Sequence, residues 1–224
     1  MKYFIANWKA KKNLSQIDDW VKIFSEEINE NPQLLLKLTN NQIKIIICPP
    51  FSLLSSLKNK LPKIPNLFLG SQDVSQFDEG SFTGEITAKN LADFVNYTII
   101  GHSERRKFLN ETKELLVKKT SMAKRYHLEP IFCIRDNKDF IPTDCQLIAY
   151  EPVAAIGTGQ NEPPERVISL KKKLKLPQKN VFIYGGSVDE NNAQSYLSTN
   201  EIDGFLIGSA SLDPQQFYEI IKLG

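Results

Sequence analysis

Short, nearly continuous runs of Ile, Val, Leu and Phe alternate with longer stretches in which apolar residues recur every three to four positions. The short runs fall at 3–6, 43–48, 67–69, 97–100, 130–134, 147–150, 181–184 and 205–207. Most lack strict in-out alternation, which predicts parallel strands covered on both faces. The longer stretches predict seven helices, over 16–29, 53–60, 88–96, 104–126, 165–174, 190–198 and 214–222. Eight strands alternating with helices define an α/β chain, and the number eight favours closure into a (β/α)8 barrel over an open doubly wound sheet. One crossover breaks the rhythm. Residues 135–146 join the fifth strand to the sixth and carry Asp136, Asn137, Pro142 and Asp144, so the helix after strand five is expected to be largely missing. Without a linker, low-complexity tract or charge block, residues 1–224 read as one domain.

Composition narrows the class. With 224 residues, 41% hydrophobic and 24% charged, the chain matches a globular protein and not a disordered, collagenous or membrane-bundle sequence. A formal charge of +2 is too small to form an electrostatic footprint for nucleic acid or lipid, so any anion must be held locally. The apolar stretch near the N-terminus is shorter than a secretory core, and no window approaches a membrane span. Cys48, Cys133 and Cys145 are odd in number and sit in or beside apolar runs, which suits reduced thiols. A cytoplasmic location is expected.

Barrel sites gather where strands end, so the polar residues after each run carry the candidate chemistry. Asn7 and Lys9 follow the first strand on one face, and Lys9 offers a cation for an anionic substrate or a developing oxyanion. His102 follows the fourth strand at an expected helix start, where the dipole disfavours imidazolium, and Glu104 suits the same helix end. Arg105 and Arg106 do not suit it, which predicts that carboxylates elsewhere hold them. Glu151 ends the sixth strand before Pro152, which restricts its backbone to an extended form, and is a candidate general base. The uncharged loop 153–159 after it suits a lid that excludes water. Gly185-Gly186-Ser187 and Gly208-Ser209 follow the last two strands, where barrel enzymes frequently hold phosphate. Taken singly, each residue also fits a solvated surface position, a cap or a salt bridge. No metal-ligand spacing, Walker loop, dinucleotide fingerprint or nucleophile elbow is present.

In order along the chain, Asn7-Trp8-Lys9, Gly101-His102-Ser103-Glu104-Arg105-Arg106, Tyr150-Glu151-Pro152-Val153 with Ile156-Gly157-Thr158-Gly159, Tyr184-Gly185-Gly186-Ser187-Val188 and Gly208-Ser209-Ala210 resemble the triosephosphate isomerase family. The resemblance spans nearly the whole chain. It implies a TIM barrel, a place in glycolysis and gluconeogenesis, and interconversion of dihydroxyacetone phosphate and D-glyceraldehyde 3-phosphate without a cofactor or metal. It also implies Glu151 as the base, His102 as the neutral electrophile and Lys9 with Asn7 as electrostatic partners, a pairing of glutamate and neutral histidine already described for this family. By the same resemblance Gly157, Ser187, Gly208 and Ser209 surround the phosphate. Loop 71–86 resembles the family segment that inserts into a second subunit, which implies a homodimer with Thr83 at the contact. The chain departs from the family pattern at Ala154, Gln160 and Ser209, and in Ile134-Arg135-Asp136 after Cys133. An alternative reading is a trimmed barrel that keeps phosphosugar binding but has impaired catalysis. A weaker one is another phosphate-binding barrel enzyme.

Overall fold

The computed structural model describes residues 1–152 and 161–224. Eight strands, β1 (Lys2–Asn7), β2 (Ile43–Cys48), β3 (Leu67–Ser71), β4 (Tyr97–Ile100), β5 (Glu129–Ile134), β6 (Leu147–Tyr150), β7 (Val181–Tyr184) and β8 (Gly204–Ile207), pair in parallel in sequence order. The sheet closes where β8 pairs with β1, Tyr3 opposite Gly204 and Phe4 opposite Phe205. That seam requires a glycine: Gly204 has φ +144°, and a Cβ there would lie 1.9 Å from the Tyr3 carbonyl oxygen.

Alternate strand residues divide between two cores. Ile5, Ile46, Ile99, Ile131, Ala149, Ile183 and Leu206 belong to the cluster inside the barrel. Phe4, Ala6, Ile45, Ile47, Phe132, Phe182 and Phe205 face the helices. The two-residue period then carries the inward face onward to Asn7, Glu151, Gly185 and Gly208 at the carboxyl rim. Sequence parity alone therefore aims these positions at one mouth.

The described residues form nine α-helices: α1 (Leu14–Asn29), α2 (Pro32–Thr39), α3 (Leu54–Lys60), α4 (Ala88–Ala92), α5 (Ser103–Phe108), α6 (Lys113–Arg125), α7 (Pro164–Leu174), α8 (Ala193–Leu197) and α9 (Pro214–Lys222). In α1, Ile17, Trp20, Val21, Phe24 and Ile28 make one buried stripe, and Asn13 with Gln16 closes a capping box at its start. Trp20 stacks on Phe24 and meets Trp8 edge-on at 4.9 Å, which packs α1 behind β1. The expected helix over 104–126 is two helices, because Asn110 takes φ +53° and Thr112 starts α6 by accepting the Leu115 N–H. Between β5 and β6, residues 135–146 contain turns and no helix, as the sequence predicts.

Candidate active site

The mouth of the barrel holds a cavity of about 510 Å3. Asn7, Lys9, His102 and Glu151 line it together with Gly185-Gly186-Ser187, Gly208 and Ser209. Residues from five strand ends thus converge on one space. Gly157, Ala154, Gln160 and the remainder of the expected lid lie outside the described residues.

Glu151 is buried and both its oxygens are engaged. Oε1 accepts the Nε2–H of His102 at 2.7 Å, and Oε2 accepts the Ser103 N–H at 2.9 Å. The Glu151 N–H donates to the Ile134 carbonyl, which continues the strand pairing up to this residue. Gly185 leaves the space that the Glu151 side chain needs, since a Cβ there would come within 3.0 Å of Cγ.

His102 is the N-cap of α5, and its Nδ1 accepts the Glu104 N–H at 3.2 Å. With Nδ1 acting as acceptor, the proton of the neutral ring sits on Nε2, the nitrogen that faces Glu151. Neighbouring charges act on the ring in addition to the helix end. Burial pulls the His102 pKa down, but the Glu151 carboxylate, followed by Glu104, raises it by more, and the net direction is upward. The Glu151 charge is the largest of these raising effects. Glu151→Gln should therefore lower the His102 pKa, as read from the pH titration of its imidazole resonances by NMR. An unchanged pKa would contradict this coupling.

Lys9 sits just beyond β1 with φ +52°. Its N–H donates to Asn7 Oδ1 at 3.1 Å and its carbonyl accepts from Gln72 Nε2 at 2.9 Å, so neighbours at both ends hold the left-handed backbone. Its ammonium pairs with Glu104 at 2.7 Å. Glu104 thus links Lys9 and His102, a role the helix-dipole reading did not supply. Gln72 was also missed: an amide at the base of loop 71–86 gives no sequence signal that it bridges two strand ends through the Lys9 and Cys48 carbonyls.

The two arginines resolve differently. Arg105 pairs with Asp73 at 2.6 Å and Glu111 at 2.8 Å, as expected. Lys119 of α6 joins the same two carboxylates. Burial raises the Asp73 pKa, and only the cations beside it oppose that shift. This buried network ties the His102-bearing helix α5 to α6 and to the base of loop 71–86. Arg106 instead donates to the Gly101 and Cys133 carbonyls, and its nearest carboxylate, Asp139, stands 3.9 Å away.

Fold and rim together define a closed (β/α)8 barrel with a carboxylate, an imidazole and an ammonium gathered over a pair of glycine-rich loops. The family model of triosephosphate isomerase matches residues 2–144 and 140–224, and its two stretches meet inside the helix-free segment 135–146. The chain is 36% identical over 244 residues to the triosephosphate isomerase of Mesomycoplasma hyopneumoniae, covering 98% of each chain. It is likewise 36% identical over 255 residues to that of Dictyoglomus thermophilum, with 99% of this chain and 98% of the relative covered. The triosephosphate isomerase of Alkalilimnicola ehrlichii is 31% identical over 251 residues, covering 97% of this chain and 96% of the relative. The chain belongs to the triosephosphate isomerase family.

Proposed function

We propose that this enzyme interconverts dihydroxyacetone phosphate and D-glyceraldehyde 3-phosphate through an enediolate, with Glu151 as the base and His102 as the electrophile. The observation that carries this reading is the direct contact of Glu151 with His102 inside the cavity that Lys9 also lines. Substrate entering that cavity separates the pair. Glu151 then takes a proton from C1 of the ketose, the C–H electrons form the C1–C2 double bond, and negative charge develops on the C2 oxygen. The freed Nε2–H of His102 donates to that oxygen and passes its proton across, regaining one from the C1 hydroxyl. Returning the proton from Glu151 to C2 completes the aldose, so the reaction balances without a cofactor. Lys9, held by Asn7, stabilises the charge on the oxygens. Ser187, Gly208 and Ser209 hold the phosphate, with Gly157 assigned to the same task by family resemblance.

A homodimer built on loop 71–86 belongs to the same proposal. Its tip, 79–85, is exposed, and Phe82 stacks on Phe77 at 4.0 Å between ring centroids, so the tip is preformed and presents apolar surface beside Thr83. We assign the enzyme to the cytoplasm as a single barrel domain over 1–224. Its three cysteines are buried and unpaired, and no described helix is long and apolar enough to cross a membrane.

A coupled assay with glyceraldehyde 3-phosphate separates catalysis from the binding-only alternative. Turnover is expected. Folded protein that binds a phosphate ligand in the mouth but shows no turnover would establish the alternative instead.

A further inference from the structure

Where the helix after β5 is missing, the barrel carries a second cavity of about 430 Å3 that shares no residue with the first. Four cations, Arg106, Lys113, Arg135 and Lys138, line it against two carboxylates, Glu111 and Asp139, leaving an excess of two positive charges. The carboxylates are already committed. Asp139 accepts from Arg135 at 2.7 and 3.0 Å, and Glu111 Oε1 accepts from Arg105 and Lys119.

On this wall Glu111 keeps one buried oxygen without a partner, and Arg106 keeps one guanidinium nitrogen that no carbonyl engages. The Arg106 side chain is 8% exposed, and with Nε and Nη2 bound to carbonyls its Nη1 finds only Asp139 at 3.9 Å, beyond hydrogen-bond range. The Glu111 side chain is 1% exposed, and its Oε2 is buried without a partner. A buried acceptor left without a partner is costly. The remaining lining is Thr112, Leu116, and Phe140 held under the Lys113 ammonium at 4.5 Å.

We infer that this cleft binds a small phosphate monoester bearing a free hydroxyl group. The dianionic phosphate matches the excess charge and engages Arg106 Nη1 with the Lys113 and Lys138 ammonium groups. The hydroxyl donates to Glu111 Oε2. A simple carboxylate supplies half the charge, and an amine would meet the four cations. The site owes its existence to segment 135–146, which supplies Arg135, Lys138, Asp139 and Phe140 in place of a helix.

Isothermal titration with glycerol 3-phosphate, which has no carbonyl to isomerise, tests this. The unaltered enzyme should bind two molecules per chain. The double variant Lys113→Ala/Lys138→Ala should bind one and keep its isomerase turnover. A single site in the unaltered enzyme, or two sites surviving in the double variant, would overturn the inference. Methyl phosphate, which lacks the hydroxyl, should fill the second site of the unaltered enzyme about tenfold more weakly. Equal affinity for both ligands would refute the Glu111 contact.

Discussion

Glu151→Asp should lower kcat by about 100-fold or more while leaving the affinity for a phosphate-bearing inhibitor nearly unchanged. The reason lies in the stiffness of the mount. Glu151 follows β6 directly, its N–H is fixed to Ile134, and Pro152 restrains the next bond, so the backbone does not advance to compensate a shorter side chain. Losing one methylene withdraws the carboxylate by about 1.5 Å, more than enough to spoil in-line proton transfer. Glu151→Gln removes the proposed base outright, with an expected loss of about 10²–10⁴-fold. With the phosphate assigned by proposal to Ser187, Gly208 and Ser209, its binding should survive both changes. Steady-state kinetics with inhibitor titration reads the two effects separately. An unaltered kcat in either variant would remove Glu151 from the role of base.

Lys9→Gly should abolish most activity without unfolding the protein. The substitution deletes the only lysine lining the mouth cavity among the described residues, and with it the charge proposed to oppose the developing oxyanion. Loss of one such stabilising donor is expected to cost about 10²–10³-fold in kcat/KM. Stability moves on a different scale. Lys9 occupies a left-handed conformation that costs a residue with a Cβ about 1–2 kcal/mol and glycine almost nothing. The ion pair it forms with Glu104 is partly exposed on both sides, 32% and 38%, and such pairs contribute only about 0–1 kcal/mol. Relief of the backbone therefore offsets the lost pair, and the variant should melt at or above the temperature of the parent. A cooperative thermal melt with strongly reduced kcat/KM supports the account; a variant with full activity would show that Lys9 stands outside the chemistry.

The strands were legible because parallel, doubly covered strands leave continuous apolar runs, and the eight runs recur within one or two residues of β1–β8. Rim residues were legible through the same register, since Asn7, Lys9, His102, Glu151, Ser187, Gly208 and Ser209 each follow a run by one to three positions. Helices were harder. α2 escaped notice although Asn31 caps it and Pro32 opens it, because its Leu34-Leu35-Leu36 block masks the helical period. The break between α5 and α6 escaped too, since Leu109 and Asn110 continue an amphipathic pattern while a left-handed Asn interrupts the backbone. Partners distant in sequence gave no signal at all: Gln72 under Lys9, and Asp73 and Lys119 around Arg105, are joined only by the fold. For His102, the cap was readable from its position but the opposing pull of Glu151 was not, because the ring and the carboxylate that touches it lie 49 positions apart in the chain.

Isomerisation of dihydroxyacetone phosphate in D2O, followed by NMR, addresses the proton-transfer claim most directly. If Glu151 carries the hydrogen as an exchangeable proton, glyceraldehyde 3-phosphate should acquire deuterium at C2, and Glu151→Gln should suppress both the exchange and the turnover. Product formed at full rate with no solvent deuterium, or exchange undiminished in that variant, would mean that the hydrogen travels by another route and that this carboxylate does not move it.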